Sequence, residues 1–377
     1  MLRCSMSGLL LAMVVAGCGS GDGTGQKTAT TPESNNQPAG DKQAGGSTDA
    51  NTSKTLSKEP APVIYPSRQL AKVLDFSALP APEGTAIEHK SAARASVQAP
   101  GTVSEVTAFY QKNLTSLGWE LVPEPDRKNN DEYAELRFAK NGHRASLTFG
   151  TYDVSKEKGH QTLVSMEFHG NLDTRTLPSP APCKVLLGSQ TVTSYLTEMT
   201  VAEAMAWATK TLGADSWQKF TSFDTPMEET DLNRTLEFRK QGYALTIYTG
   251  IHPVEKKTFF QYMVSALSHE LPTPPEATKV QFNDARGQLR CETPGDWPAA
   301  AEFYEKAMPA LGYKPLPGED PKPTYRNLRF GNDAGDVIMV QVSSKDKQTT
   351  QIHIDGVSAA MIDAIKKKTD EKQPSKK

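Results

Sequence analysis

The stretch FYQKNLTSLGW, Phe109 to Trp119, decides the fold because similar phrases occur at two other places in the chain. FYEKAMPALGY runs from Phe303 to Tyr313, and the more divergent WATKTLGADSW runs from Trp207 to Trp217. In the first phrase the apolar residues fall at helical spacing, a glycine follows, and an aromatic residue comes next. Each phrase therefore predicts one helix face, a helix stop and a buried aromatic side chain.

Good N-cap residues precede each predicted helix: Thr102, Thr200 and Asp296. In the first two copies a glutamate follows three places later, which is the pattern of a capping box. The third copy instead has Pro298 in its first turn, where a missing N–H is tolerated. The middle copy departs from the pattern at its end, because Ser216 stands where the others have glycine, so its helix end is less certain.

Strands are predicted around each helix by alternation of apolar and charged residues, as in Leu136-Arg137-Phe138, Leu236-Glu237-Phe238 and Leu328-Arg329-Phe330. Asn141-Gly142 and Gln241-Gly242 predict tight hairpin turns. A stiff Leu-Pro-x-Pro connector recurs at Leu79, Leu177 and Leu271. The predicted fold class is α+β, with three tandem repeats of one helix on an antiparallel sheet in the order ββαββββ, after a disordered tether. The expected modules are residues 66–177, 178–270 and 271–357.

The first residues predict export. A short apolar run precedes Val15-Ala16-Gly17-Cys18, which resembles the lipobox of bacterial lipoproteins. The resemblance implies a signal peptide over residues 1–18, lipidation of Cys18, and membrane attachment through the N-terminal acyl chains. Gly19, rather than aspartate, then favours the outer membrane in that family's sorting rule. An ordinary secretory signal with a chance cysteine is the alternative.

Residues 19–65 are predicted to be a disordered tether, since the segment is rich in polar residues, glycine and proline and has little apolar surface to bury. Residues 358–377 are predicted to form a short amphipathic helix and a charged tail. The net charge of −2 argues against a nucleic-acid partner, which favours strongly basic proteins. Cys183 and Cys291 are expected either to pair or to be two separate buried thiols, because their spacing does not decide between these alternatives.

Candidate chemistry is sparse. Ser216-Trp217-Gln218-Lys219 and Ser344-Lys345-Asp346-Lys347 fit S-x-x-K, without the later motifs of penicillin-binding enzymes. The seven histidines form no H-E-x-x-H pattern, so no metal site and no cofactor is predicted. Acidic residues cluster after the aromatic residue that ends each phrase (Trp119, Trp217 and Tyr313), but they lack the alternation of a calcium-binding loop. The recurring aromatic residues are interpreted as core, because fold-defining positions repeat and a unique active site does not.

The chain as a whole resembles secreted bacterial lipoproteins, of a kind associated with planctomycetes, that carry tandem FYxxxLxxLGW modules. The resemblance implies location and architecture and nothing catalytic, so no catalytic residue is predicted. The expected function is a lipid-anchored, non-enzymatic binding or scaffold module with a protein or glycan partner in the cell envelope. The alternatives are a carrier of a small apolar ligand or lipid, gripped between helix and sheet near residues such as Val106 and Leu114, and a hydrolase at a module interface.

Overall fold

The computed structural model describes residues 64–123, 130–152, 159–223, 233–318, 320–333 and 335–357. The chain divides into two compact units, Met1–Lys58 and Glu59–Lys377, and all described residues belong to the second. None of the helices in those ranges has the length and apolar character that crossing a bilayer requires. The predicted signal peptide, most of the tether and the C-terminal helix and tail lie outside the described residues.

A short helix opens the described chain, and three longer helices follow: α1 (Ser67–Val73), α2 (Val103–Ser116), α3 (Val201–Ala214) and α4 (Trp297–Ala310). The strands around α2 form the first segment: β1 (Ala86–Lys90), β2 (Arg94–Pro100), β3 (Glu120–Leu121), β4 (Tyr133–Lys140), β5 (His143–Tyr152) and β6 (Gln161–Gly170). Those around α3 form the second: β7 (Cys183–Gly188), β8 (Val192–Thr197), β9 (Gln218–Ser222), β10 (Asn233–Lys240), β11 (Tyr243–Ile251) and β12 (Thr258–Ala266). Those around α4 form the third: β13 (Thr278–Asn283), β14 (Gln288–Pro294), β15 (Lys314–Leu316), β16 (Tyr325–Gly331), β17 (Val337–Ser344) and β18 (Thr349–Val357).

The molecule is a mixed α+β protein with helices on antiparallel sheets, and each segment has the predicted element order ββαββββ. The first segment forms a six-stranded sheet in the order β1-β2-β6-β5-β4-β3. The expectation of a separate sheet for every segment is wrong, because the other two share one twelve-stranded sheet. They join where β9 and β13 pair in parallel, Thr221 beside Gln281. Next to this seam the rings of Phe220 and Phe282 meet edge to face at 5.5 Å, so apolar burial favours the union.

The predicted helix starts and stops are confirmed. Thr102 and Thr200 each form a complete capping box, and Asp296 caps α4. After each helix the residue in the left-handed conformation is Gly118, Ser216 or Gly312. The backbone N–H of the next residue returns to the helix: Trp119 to Leu114, Trp217 to Leu212 and Tyr313 to Met308. This is the Schellman arrangement, which satisfies carbonyl groups at the end of a helix. Ser216 therefore ends its helix as glycine does in the others.

The repeated aromatic residues are core, as predicted. Tyr110, Trp119, Tyr304 and Trp217 are at most 3% exposed, and Phe109, Trp207, Phe303 and Tyr313 pack against the two hydrophobic clusters. The apolar residues that flank the charged residue in each predicted alternation are also buried, since the sheet has one face on the core.

The predicted tether ends too late in the sequence. Ile64 and Tyr65 pack against the core, and α1, which the sequence pattern did not predict, follows them. The backbone N–H of Gly242 donates to the Tyr65 carbonyl oxygen at 3.1 Å. A Cβ at Gly242 would lie 2.5 Å from the Ser67 backbone nitrogen, so glycine permits this close approach.

Candidate functional site

A cavity of about 820 Å³ lies where the second and third segments meet. Its walls are the start of β9, the end of β10, the connector 267–277 and Phe303 on α4. The connector carries the Leu-Pro-Thr-Pro-Pro sequence, whose prolines donate no backbone N–H and stiffen this wall. Both segments contribute walls to this open cavity, because β9 and β10 belong to one and α4 to the other.

Arg239 is the buried charge of this cavity. The side chain comes from β10, lines the cavity and leaves the residue only 7% exposed. Its Nε and Nη2 donate to Oε1 of Gln218 at 3.0 and 2.8 Å, and its guanidinium lies 4.8 Å from the centre of the Phe282 ring. The Gln218 amide in turn donates to the Thr273 hydroxyl at 2.6 Å, which holds the pair in place.

The guanidinium lacks a carboxylate partner within the described part of the chain, where no ion pair of Arg239 forms within 4.0 Å and its Nη1 makes no hydrogen bond. Burial lowers the pKa of Arg239 to about 10, although the nearby groups Tyr304, Cys291 and Glu270 favour the charged form. A buried cation is usually paired, since desolvation without compensation is costly. The cavity therefore presents a buried cation that has no direct carboxylate partner among the described residues, and the N–H groups of its Nη1 are available.

Other charges line the same space. Lys240 is engaged elsewhere, because its Nζ lies 3.2 Å from the Asp215 carboxylate and donates to the Asp215 carbonyl oxygen at 2.6 Å. Burial raises the pKa of Glu270, whereas a hydrogen bond from the Ser67 backbone and the charge of Arg68 oppose that rise. Glu270 is thus a partly buried acidic group that shares the cavity with Arg239, and Glu276, which is exposed, lines it as well.

Beside the cavity, polar groups join all three segments, and one of them, His269, also lines the cavity. The Asp284 carboxylate accepts from the backbone N–H groups of Ser268 and His269, and the Ser268 hydroxyl donates to Ser91 at 2.8 Å. The His269 Nδ1 lies 2.8 Å from the Asp284 carbonyl oxygen. His89 lies 3.1 Å from the Ser91 hydroxyl. These contacts satisfy buried groups within the protein, so the cluster acts as a structural joint.

A second cavity of about 380 Å³ lies at the start of α2. It is lined by Gly101, Thr102, Val103 and His160 among others. The Glu105 carboxylate already accepts from the Thr102 backbone N–H at 2.9 Å. The helix start therefore has its negative partner in the capping box.

The sheet edge β7 is the most apolar exposed strand of the described chain. All six of its residues are exposed, with Val185 at 58% and Leu187 at 51%, and it is the terminal strand of the twelve-stranded sheet. Free backbone groups on an edge strand can pair with an added strand.

Comparison with protein-family models, curated proteins and solved structures finds no match to this chain.

The structure separates most of the sequence-predicted candidates. Cys18 lies outside the described residues, and both Cys183, which is exposed, and Cys291, which is buried, are free thiols. Ser216 sits at the helix stop predicted for it, and Lys219 is exposed on β9. Ser344 ends β17, and Lys345 pairs with Glu292 at 2.6 Å.

Within the described ranges, no group of three or more histidine, cysteine or acidic residues is placed to hold a metal ion. Several of the acidic residues that follow Trp119, Trp217 and Tyr313 lie outside those ranges. Val106 and Leu114 are 2% and 0% exposed in the core, and neither lines either of the two cavities. Both side chains are packed in the hydrophobic core, and the larger of the two cavities lies at a segment junction.

The sequence interpretation missed Arg239, Gln218 and Glu270. One signal was available: after the recurring Leu-x-Phe, the second segment has Arg239 where the other two have Ala139 and Gly331. The Leu-x-Phe sequence before this position recurs in all three segments, whereas the charged residue after it occurs in the second segment alone. That difference marks a place where the second segment departs from the other two. The burial of that side chain depends on the third segment, which strand periodicity does not reveal.

Proposed function

We propose that this chain is a lipid-anchored, non-enzymatic binding protein of the bacterial cell envelope, built from three copies of one ββαββββ unit. Two features support the common unit. The strand orders correspond in the three segments (β1-β2-β6-β5-β4-β3, β7-β8-β12-β11-β10-β9 and β13-β14-β18-β17-β16-β15), and the helices share their caps and their stops. Duplication of one unit accounts for both similarities.

Anchoring rests on Val15-Ala16-Gly17-Cys18 and on the tether, with Gly19 favouring the outer membrane. More than one acyl chain is needed for stable attachment to a bilayer, because a single chain binds only marginally. Radiolabelled palmitate should enter the wild-type protein and not a Cys18→Ser variant. Label that persists in Cys18→Ser would remove the anchoring proposal.

The observation that carries the binding proposal is the cavity between the second and third segments. Its volume of about 820 Å³ is within the range of small-molecule sites, which run from ~300 to ~1,000 Å³. Leucine, proline and Phe303 side chains supply apolar walls, and Arg239 supplies a charge. This combination favours a small ligand with a polar end over a wholly apolar one.

A blocking substitution tests this site. Ala277 lines the cavity and is half-buried, so Ala277→Trp should fill part of the space. Ala299→Trp places the same ring on the exposed face of α4 and serves as the matched control. The full-length proteins are purified from cell envelopes that have not been treated with a cross-linker. The metabolites bound to each protein are then compared by mass spectrometry. A ligand present with wild type and Ala299→Trp and absent from Ala277→Trp supports the proposal, and equal recovery from all three contradicts it.

The second candidate function is a scaffold for a protein partner, and β7 favours it. An exposed apolar edge strand can accept a partner strand through backbone hydrogen bonds. Cross-linking in the envelope, followed by purification of the full-length protein, would recover that partner. If only small metabolites are recovered, the carrier function is preferred.

A further inference from the structure

The guanidinium of Arg239 has an unusual environment for a structural arginine. It is 7% exposed, it is held from one side by a neutral amide, and one aromatic ring lies against it. Neither partner neutralises its charge. Nη1 remains available at a residue that lines the cavity.

A planar guanidinium matches the geometry of a carboxylate better than an ammonium does, because parallel N–H donors can meet two oxygens. The hydrogen bonds to Gln218 fix the orientation of the Arg239 fork before any ligand arrives, so less side-chain entropy is lost on binding. Low exposure also limits the water that would screen the attraction.

The other groups in the cavity narrow the class of anion. Glu270 lines the same space, and it would repel a doubly charged phosphate more strongly than a singly charged carboxylate. Lys240 and His269 line it too, but Lys240 is held by Asp215 and His269 by Asp284, so neither adds a second unpaired cation. The proline-rich connector and Phe303 offer an apolar wall to the rest of the ligand.

We propose that the junction cavity binds a small molecule with a single carboxylate and an apolar body, and that Arg239 receives the carboxylate. This inference rests on the proposed binding function and adds to it the chemical class of the ligand and the residue that recognises it.

The test uses hexanoate as the probe, hexanamide as its neutral counterpart and inorganic phosphate as the competing anion. Binding to the full-length protein in lipid nanodiscs is measured by equilibrium dialysis, with empty nanodiscs as the blank. Wild type should bind hexanoate more tightly than either of the other two probes.

Variants at two positions then assign the charge recognition. Arg239→Met removes the cation and keeps an apolar stem, and it should weaken hexanoate binding about tenfold or more while leaving hexanamide binding unchanged. Arg239→Lys keeps the positive charge but lacks the planar pair of N–H donors. Its affinity for hexanoate should therefore lie between those of wild type and Arg239→Met. Glu270→Gln removes the competing negative charge and should tighten hexanoate binding about threefold.

Several outcomes would overturn the inference. These are equal binding of hexanoate and hexanamide by wild type, hexanoate binding that survives in Arg239→Met, and phosphate binding as tight as that of hexanoate. If Arg239→Met shows no cooperative urea transition and is therefore not folded, Glu270→Gln provides the test instead. An unchanged affinity of Glu270→Gln for hexanoate would then contradict the proposal that Arg239 binds the carboxylate.

Ala277→Trp separates this inference from the proposed function. If it abolishes binding of every probe while the Arg239 variants bind hexanoate as wild type does, the cavity is a binding site and the carboxylate assignment is wrong. If Ala277→Trp leaves hexanoate binding unchanged, both the binding site and the assignment fail.

Discussion

The carboxylate of Asp284, on the turn between β13 and β14, accepts a hydrogen bond from the backbone N–H of Ser268 at 2.9 Å. Ser268 lies two residues after the end of β12, so this contact ties the third segment to the second. The hydroxyl of the same serine reaches Ser91 in the first segment. Asp284 is 8% exposed and His269 beside it also donates its backbone N–H to the carboxylate. One buried carboxylate therefore organises the place where three segments meet.

This joint predicts a pH-dependent stability. Burial by itself would lower the pKa of His269, but contacts with Asp284 outweigh burial and raise the pKa above 6.5. A raised folded-state pKa means that the stabilisation by His269 is complete below pH 6.5 and is lost as pH rises through the folded pKa. The free energy of unfolding of wild type minus that of His269→Gln should therefore be larger at pH 6 than at pH 9.

Urea unfolding at both pH values measures this difference. It includes a coupled change at nearby His89, whose pKa is lowered by burial and by the charge of His269 while Asp284 opposes the lowering. Asp284, Arg94 and Asp336 are the other charges that act on the two histidines. At acid pH the stability depends on Asp284. Burial by itself would raise the pKa of Asp284, but His269 and Arg94 hold it below 3.8. The free energy of unfolding should therefore fall as pH drops through that lowered pKa. A difference that does not change between pH 6 and 9 would show that folding does not raise the pKa of His269.

A Cβ at Gly242 should be costly. It would lie 2.5 Å from the Ser67 nitrogen and 2.7 Å from the Tyr65 carbonyl oxygen, and both are backbone atoms that cannot rotate away. Gly242→Ala is expected to reduce the free energy of unfolding by about 1–3 kcal/mol, as overpacking does. Gly213→Ala, in α3 with nothing within 4 Å, is the matched control and should instead add about 0.5–1 kcal/mol. Equal effects of the two in urea unfolding would contradict the close approach.

Ser216 should tolerate, and benefit from, replacement by glycine. Its φ of 62° lies in the left-handed region, where Gly118 and Gly312 stand after the other helices. A side chain in that conformation costs about 1–2 kcal/mol, partly offset by the greater freedom of glycine in the unfolded chain. Ser216→Gly is expected to raise the free energy of unfolding, and Gly118→Ala to lower it. Thermal or urea unfolding of both variants gives the sign of each change in the free energy of unfolding. A loss of stability in Ser216→Gly would show that the Ser216 hydroxyl stabilises the fold by more than its left-handed backbone conformation costs.

The edge strand β7 predicts association through its apolar side chains. Leu187 is 51% exposed on the terminal strand, and a lysine there should discourage edge-to-edge pairing. Leu187→Lys should therefore lose any strand partner recovered by cross-linking and should scatter less light at high protein concentration. Lys184→Arg on the same strand keeps the charge and should behave as wild type. Partner recovery that is equal in Leu187→Lys and wild type would exclude β7 as the contact.

The recurring phrase in the sequence determined the helices, their caps and their stops, because these depend on contacts within a few residues. Thr102 meets Glu105 three places away, and Trp119 returns to Leu114 five places back. The alternation around Phe138, Phe238 and Phe330 likewise predicted the buried sheet face. Local periodicity is sufficient for such features, since neighbours in space are neighbours in sequence.

The sequence alone did not show that the second and third segments share a sheet, that Tyr65 docks on Gly242, or that Arg239 is buried beside a cavity. Each of these depends on residues far apart in the chain, such as Thr221 beside Gln281 and Ser67 near Glu270. Strand edges carry the same free backbone groups whatever they pair with, so their partners are chosen by the packing of distant side chains. An arginine on a strand is ordinarily solvated, and only the arrival of the third segment removes water from Arg239 and leaves its charge facing the cavity.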